Sequence, residues 1–248
     1  MNSLLTITLT ATLLLTACFQ SASAFVPFPS QRSASTILRS SSEKQSWDAF
    51  RFLRQSSRFI NLPFVPRSSN LTRENVQPGD ILWQVESDTA FTMSPLDDVV
   101  MGGVSSSTFD NGQWKGVVTD ANNGGFVGIR STPSFKWNMK DCKGLQWTLV
   151  QNSKRRLRFK FVNRDSTDFN GITWTTSVDL KPGKNVVKID FSKQIPALFA
   201  KTVPDQTFQA DNVVAVQIAY SKFEYDGDLN PNFELGPVDL QLIELKAF

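Results

Sequence analysis

The sequence ITWTTSVDLKPGKNVVKIDF, residues 172–191, is the clearest evidence for the fold class of this chain. In both halves the side chains alternate between an apolar and a polar face, with Trp174 and Val178 opposite Thr175 and Asp179. Successive side chains of a β-strand point to opposite faces, so this period of two predicts strands rather than helices. The central Lys181-Pro182-Gly183 is a turn signal between two such strands.

The same alternation continues from about Ile81 to the C-terminus and predicts about nine or ten short strands. Only Ser192–Thr202 lacks it and is expected to hold a brief helix or a loop. Many strands without interleaved helices predict an all-β fold, an antiparallel β-sandwich or jelly roll. The other clear faces are Ile81/Trp83/Val85, Leu145/Trp147/Leu149, Val187/Ile189/Phe191, Val214/Val216/Ile218/Tyr220 and Val238/Leu240/Leu242.

Composition excludes several kinds of catalytic site. The 248 residues include no histidine, which removes Ser-His-Asp and Cys-His nucleophile systems and every histidine-ligated zinc or haem site. The two cysteines, Cys18 and Cys142, cannot form a disulfide framework if the first lies in a cleaved leader. Cys142 is therefore expected to be a small, buried thiol.

The N-terminus predicts two targeting segments followed by a connecting region. Residues 1–24 carry an uncharged apolar run that ends in Ala22-Ser23-Ala24, as a signal peptide does. Residues 25–44 are rich in serine and arginine, which is typical of a transit peptide, and start with Phe25. Together they resemble the bipartite presequence of plastid proteins in algae with complex plastids. We therefore expect a plastid location, with a mitochondrial or secreted protein as the alternatives.

Residues 45–78 are expected to form a short amphipathic helix and a linker before the sandwich domain at 79–248. Phe50 and Leu53 recur near helical spacing, with Arg51 and Arg54 between them. Such a helix over about 45–60 could contact a membrane surface or a partner, or it could pack on the outside of the domain. The sequence leaves these alternatives open.

A basic stripe is expected on one predicted strand, where Arg156, Arg158 and Lys160 share a face. It could meet RNA phosphates, anionic lipid or an acidic subunit, or it could be a solvated outer face. Residues 79–248 hold eighteen Lys/Arg against twenty Asp/Glu, so the basic charge of the chain belongs mostly to the leader and linker. Charge alone is therefore weak support for nucleic-acid binding.

The segment Asp97–Ser107 is too irregular for a helix or a simple strand and predicts a sharply bent loop. Its candidate partner-binding residues are Asp97, Asp98, Gly102, Gly103 and Ser105. Adjacent carboxylates on an extended chain point in opposite directions, so they do not form a glycosidase pair by themselves. The glycines and serines could form an anion-binding nest, but the lysine and helix of a P-loop are missing. No catalytic set emerges.

The segment Asp226–Asn232 has oxygen-bearing side chains at alternate positions, like the start of a calcium loop. Pro231 and Pro237 stand where an EF-hand would need Gly and Glu, so that motif fails. A turn capped by its own Asp and Asn side chains is the main expectation, with a structural calcium as the alternative. No metal or cofactor is predicted.

Three blocks of the chain resemble the complex I intermediate-associated protein 30 family. They are Asp97–Ser105, Gly124–Ser131 and Ser221–Gly227, and their order and approximate spacing match. The resemblance implies a galactose-binding-like β-sandwich akin to some carbohydrate-binding modules. It also implies assistance in assembling a respiratory complex, without enzymatic activity. Some plastid relatives carry an additional nucleotide-binding Rossmann domain, which this chain lacks.

We therefore expect a non-catalytic assembly factor or chaperone for a multisubunit membrane complex, either of the complex I type or photosynthetic. Its partner-binding loops would be Asp97–Ser107 and a second loop that contains Phe223, Glu224, Tyr225 and Asp226. One alternative is a module like those that bind carbohydrates, which needs exposed aromatics among Trp114, Trp137, Trp174 and Tyr225. The other is an RNA-binding plastid biogenesis factor that uses the basic stripe.

Overall fold

The computed structural model of this chain describes residues 46, 48–59, 74–87 and 91–248. Two antiparallel sheets pack against each other around one apolar core, which confirms the predicted all-β sandwich. The predicted signal peptide at 1–24, the transit-like segment at 25–44 and linker residues 60–73 lie outside the described residues. No helix in the described part of the chain has the length and hydropathy needed to cross a membrane.

The described residues form one α-helix and fifteen strands, numbered in chain order. They are α1 (Ala49–Ser56), β1 (Glu74–Asn75), β2 (Ile81–Gln84), β3 (Thr92–Pro95), β4 (Ser106–Asp110), β5 (Gln113–Val118), β6 (Phe126–Thr132), β7 (Trp137–Asn138), β8 (Gly144–Gln151), β9 (Leu157–Arg164), β10 (Thr173–Leu180), β11 (Gly183–Asp190), β12 (Ile195–Leu198), β13 (Lys201–Thr202), β14 (Ala215–Ser221) and β15 (Gly236–Ala247).

Sheet I has seven strands in the order β13-β12-β10-β9-β14-β6-β3, and sheet II has the order β11-β8-β15-β5-β4. The long strand β15 also pairs with β2 near its C-terminal end. The stretch 172–191 forms strands β10 and β11 as predicted, but they belong to different sheets. The turn between them carries the chain across the sandwich, and Gly183 accommodates a φ of +85° there.

Aromatic side chains from both sheets fill the core. Trp114 of sheet II meets Phe159 of sheet I edge-on, with ring centroids 6.1 Å apart. Phe159 in turn contacts Tyr220 on the neighbouring strand β14 at 5.1 Å. These contacts join the two sheets and make the sandwich a rigid support for the loops at its ends.

The prediction for residues 192–202 was incomplete. A short 3-10 helix, Phe191–Lys193, is present, but strands β12 and β13 follow it and extend sheet I beyond β10. Strand β12 has only four residues, Ile-Pro-Ala-Leu, which are too few to show an alternation of apolar and polar side chains. It is a strand because it pairs with β10, which its own sequence does not predict.

Helix α1 confirms the helix predicted over 45–60. The residues that it buries are not the ones whose apolar spacing predicted the helix. Phe52, Gln55 and Ser56 are buried, whereas Phe50 and Leu53 are 77% and 58% exposed. Asp48 caps the N-terminus by accepting a hydrogen bond from the Arg51 backbone N–H at 2.9 Å. The helix therefore packs on the outside of the domain and still presents apolar side chains outward.

Candidate functional site

The three sequence blocks singled out above meet at one end of the sandwich. They lie around the β3–β4, β5–β6 and β14–β15 connections, each of which crosses between the two sheets. Both β3 and β14 pair antiparallel with β6, so the ends of those two strands lie beside the start of β6. Segments that are far apart in sequence thus form one loop cluster.

Asp98 holds two of these loops together. Its Oδ1 accepts a hydrogen bond from the Ser105 backbone N–H at 2.9 Å, and its Oδ2 accepts from Gly125 N–H at 2.9 Å and Phe126 N–H at 3.3 Å. A buried carboxylate that accepts several N–H groups remains stable without a cation beside it. The first two sequence blocks are therefore one hydrogen-bonded unit built around a single side chain.

Two glycines make room for that carboxyl group. A Cβ at Gly103 would lie 2.3–2.7 Å from the three carboxyl atoms of Asp98, and a Cβ at Gly124 would lie 2.5 Å from its Oδ2. These separations are far below van der Waals contact, so any larger residue would displace the carboxylate from its donors. The close approach of Asp98 therefore requires glycine at positions 103 and 124.

Asp97 joins the same loop to helix α1. Its carboxylate accepts hydrogen bonds from Arg51 Nη2 and Gln55 Nε2, both at 2.9 Å, and from the Ser107 N–H and hydroxyl. Gln55 returns the interaction by accepting the Asp97 N–H at 3.0 Å through Oε1. Sequence reasoning missed this role of Arg51 and Gln55, because no local pattern links residues 42 positions apart.

The carboxylates of this loop face inward, so in this conformation they do not contact a partner directly. Asp97 and Asp98 are 0% and 1% exposed, and Ser105 is also fully buried, exchanging hydrogen bonds with the Thr119 backbone. Met101 and Ser106 are the residues of the loop that are exposed, and Met101 is 73% exposed. The buried side chains of Asp97, Asp98 and Ser105 organise the loop, and Met101 is its large exposed apolar residue.

The third block adjoins the second through Gly125, whose carbonyl accepts the Lys222 N–H at 2.8 Å. Beyond it, Phe223 pairs with Leu229 in an isolated bridge, and Leu229 is 63% exposed. Asp226 accepts hydrogen bonds from the Thr202 N–H and hydroxyl at 2.8 and 2.9 Å. The predicted second partner-binding loop therefore lies at the same end as the first and also carries exposed apolar groups.

Two of the three cations in the predicted basic stripe are already paired. Arg158 donates from Nε and Nη2 to the two carboxylate oxygens of Asp179, both at 2.8 Å, on the adjacent strand β10. Lys160 donates to the Glu224 carbonyl at 2.8 Å and lies 4.8 Å from the centre of the Tyr225 ring. Of the three, Arg156 is the one that is exposed. The stripe is neither a solvated face nor an open row of cations, because the β14–β15 loop covers it.

Burial shifts the pKa values of Lys160 and Tyr225. Desolvation lowers the pKa of Lys160, although the negative charge of Glu224 opposes that change. Desolvation also raises the pKa of Tyr225. The Ser177 hydroxyl donates to Glu224 Oε2 and lies 3.3 Å from the Tyr225 hydroxyl. Together these contacts pin Glu224 and Tyr225 against sheet I.

Replacing Asp179 with asparagine is expected to reduce the acid sensitivity of the domain. Hydrogen bonds from Arg158 and Asn232 hold the pKa of Asp179 below its usual value. Its contribution is therefore complete above the unfolded pKa of about 4 and is lost as pH falls through the folded pKa. We expect Asp179→Asn to cost about 1 kcal/mol at pH 7 and less below pH 4, as measured by urea unfolding. Asp205→Asn, at an exposed position, is the control. If Asp179→Asn changes the pH dependence of the unfolding free energy no more than Asp205→Asn does, the pairing of Asp179 with Arg158 is contradicted.

The aromatic residues that a carbohydrate platform would use are not on the surface. Trp114, Trp137 and Trp174 are buried in the structure, and Tyr225 is half-buried against Lys160. A carbohydrate-binding face needs several exposed rings on one sheet, so these residues do not supply one.

The Asp226–Asn232 segment uses its polar groups in a turn. Asn230 donates to the carbonyls of Arg158 and Ser221 at 3.0 and 2.9 Å, and Asn232 donates to Asp179 at 2.8 Å. Within the described ranges, no group of three or more Asp, Glu or Cys side chains is placed to hold a metal ion.

The sequence of residues 83–242 matches the complex I intermediate-associated protein 30 family, and this match spans well over half of the chain. The chain belongs to this family. In this complex I intermediate-associated protein 30 domain, the matched residues include the Asp98 unit and its glycines. No curated protein is significantly similar in sequence to the chain.

Several solved structures are similar to this family member. A family 11 carbohydrate-binding module from Clostridium thermocellum in complex with a β-1,3-1,4-mixed-linked tetrasaccharide is 15% identical over 67% of this chain and 94% of that one, with a TM-score of 0.43. A family 11 module of the cellulosomal cellulase Lic26A-Cel5E of Clostridium thermocellum is 16% identical over 64% and 97%, with a TM-score of 0.32. The agarase AgWH50C is 8% identical over 68% and 26%, with a TM-score of 0.40. The ligands and activities in these names belong to those proteins.

Proposed function

We propose that this protein is a non-catalytic assembly factor that binds subunits or intermediates of a multisubunit membrane complex. The observation that carries the proposal is the family match over residues 83–242, which associates the chain with the assembly of complex I. The polar residues of the matching blocks are engaged in structural hydrogen bonds, which agrees with a role in binding rather than turnover.

The loop cluster supplies a docking end for such a partner. Met101 and Leu229 project from loops that Asp98 and Asp226 fix, and Phe50 projects from the adjoining helix α1. Exposed apolar side chains on a preorganised support bind partners with a small entropy cost and often act as anchors. This arrangement supports protein binding at this end of the sandwich.

We also propose that the protein acts in the plastid, which the composition of residues 1–44 favours. A photosynthetic complex, or a plastid relative of complex I, would then be its client. A mitochondrial location would direct the proposal to respiratory complex I. Imaging the full chain with a C-terminal fluorescent tag distinguishes these compartments.

Co-purification tests the central proposal. The tagged full chain is recovered from solubilised plastid and mitochondrial membranes, and the bound material is separated on a native gel. We expect the chain to co-migrate with a partly assembled complex and to be absent from the mature one. Recovery without any subunit or intermediate from either organelle would overturn the proposal.

Charge-introducing variants locate the docking surface. We expect Met101→Asp and Leu229→Asp to reduce the recovered intermediate about tenfold or more, as loss of an interface anchor does. Val186→Asp is the matched control, since Val186 is an exposed apolar residue on strand β11 of sheet II, outside the loop cluster. If all three variants recover equally little of the intermediate, the client does not bind specifically at the loop cluster.

A further inference from the structure

Two arginines lie near each other on the outer face of sheet I, in the middle of β6 and at the end of β9. Arg130 on β6 pairs with Gln217 of β14, and Arg164 on β9 pairs with Ala215 of the same strand. All four positions share the face opposite the core residues Val216 and Ile218. Arg130 and Arg164 are 8% and 3% exposed, so both charges are largely removed from water.

Neither guanidinium forms an ion pair with a carboxylate among the residues that the structure describes. Arg130 donates from Nε to the Gln217 side-chain oxygen at 3.0 Å and lies 5.2 and 5.6 Å from the ring centres of Phe59 and Phe169. The Arg130 Nη groups make no hydrogen bond to the described residues. Within the described part of the chain, the Arg164 side chain donates only to backbone carbonyls, those of Asp168, Phe169 and Gly171.

The electrostatic environment of these arginines is correspondingly unfavourable for their charge. Burial and the positive charge of Arg164 lower the pKa of Arg130 to about 9. Burial also lowers the pKa of Arg164, and the more distant charges of Asp168 and Asp165 offset this only in part. The chain between positions 49 and 73, which includes the residues that follow helix α1, contains no Asp or Glu. Two adjacent buried cations are costly, and a bound anion would relieve that cost.

A small cavity lies between these groups. It measures about 20 Å³, whereas one water needs about 10–15 Å³, and Arg58, Arg130 and Arg164 line it. The hydroxyl-bearing residues Ser134 and Thr167 also line it. Arg58, Ser134 and Thr167 are exposed, so the cavity is accessible from solvent at that side.

We propose that the solvent-exposed mouth of this cavity binds a tetrahedral oxyanion, either inorganic phosphate or the phosphate group of a small ligand. One oxygen of the anion would occupy the cavity, which has room for about one water. Guanidinium groups donate paired N–H bonds to phosphate oxygens, and hydroxyl groups add further donors. No carboxylate lines the cavity among the described residues, so its lining presents donors and positive charge to an anion. The site does not depend on the proposed assembly function.

Calorimetric titration of the full chain tests the site. We expect sodium phosphate to bind with a Kd of about 1 mM or tighter, while sodium chloride at matched ionic strength gives no saturable signal. Arg130→Gln and Arg164→Gln should each weaken binding about tenfold or more. Arg156→Gln, which removes an exposed cation just before strand β9, should leave binding unchanged.

A second variant keeps both arginines and so guards against loss of folding. Ser134→Asp places a carboxylate at the cavity, and it should abolish phosphate binding while the thermal unfolding temperature stays unchanged or rises. Comparison of phosphate with glycerol phosphate separates the two sources, because a site for a phosphorylated ligand binds the ester more tightly. Absence of saturable binding for both, or binding that is equal in wild type and Ser134→Asp, would overturn the proposal.

Discussion

Replacing Gly103 with alanine is expected to destabilise the domain by about 3 kcal/mol, a large effect for one methyl group. The new Cβ would lie 2.3–2.7 Å from the carboxyl atoms of Asp98, which is shorter than the sum of the van der Waals radii of the two atoms. Asp98 would have to move, and its backbone donors at Ser105, Gly125 and Phe126 would lose their acceptor. Urea unfolding of wild type and Gly103→Ala measures the difference.

The adjacent glycine supplies the control. Gly102 has a φ of +93°, but no atom lies within 4 Å of the position that a Cβ would take, so its substitution strains only the backbone. We expect Gly102→Ala to cost about 1–2 kcal/mol, less than the neighbouring substitution. Equal costs at the two positions would show that chain conformation, not contact with Asp98, determines the choice of glycine.

A double-mutant cycle isolates the contact itself. Asp98→Ala alone should cost about 3–5 kcal/mol, because it leaves three buried N–H groups without an acceptor. In that background the methyl group at position 103 meets no carboxyl group, so Gly103→Ala should add little. We expect a coupling of about 2 kcal/mol between the two sites, and strictly additive costs would contradict the geometry.

Alternation of side chains was sufficient to predict the longer strands, but neither the shortest strands nor the arrangement of the sheets. Leu145, Trp147 and Leu149 lie on the core face of β8 as predicted, because burial of one sheet face imposes a period of two. The four-residue strand β3 gave no such signal. Which strands share a sheet depends on pairings between distant segments. The local alternation of side chains does not show these pairings.

The sequence predicted the bent loop at Asp97–Ser107, but not how its side chains are used. Asp97 and Asp98 were predicted to bind a partner because they lie in the bent loop that resembles the family. Their burial depends on donors from distant segments, such as Gln55 and Gly125, that only the folded chain brings near. The basic stripe shows the same limit, because its partners approach it from another strand and a later loop.

Replacing Asp97 with alanine is expected to release helix α1 from the domain. The carboxylate is the acceptor for both Arg51 and Gln55, so its removal breaks the two side-chain contacts through which Asp97 holds the helix. The Asp97 N–H to Gln55 bond and the Arg51 bond to the Ser105 carbonyl remain, but neither gives Arg51 a counter-charge. A helix of eight residues is not stable in water by itself, so undocking should also unfold it. We expect a loss of about 3 kcal/mol in local stability, which corresponds to about 100-fold faster amide exchange in α1.

Hydrogen exchange read by mass spectrometry distinguishes undocking from a general loss of stability. In Asp97→Ala the amides of 49–56 should exchange faster, while those of the core strand β14 should change far less. Asp239→Ala, which removes a carboxylate that contacts Gln113 and Asn152 on sheet II, should leave α1 protected. Uniformly faster exchange over both segments would mean that Asp97 supports the sandwich as a whole.

The result also bears on how the helix contributes to binding. Phe50 and Leu53 can act as part of the docking end only while α1 is held against the loop by Asp97. If Asp97→Ala releases the helix and reduces the recovered intermediate as much as Phe50→Asp does, the docked helix is part of the interface. If release of the helix leaves recovery unchanged, the loops that carry Met101 and Leu229 bind the client without it.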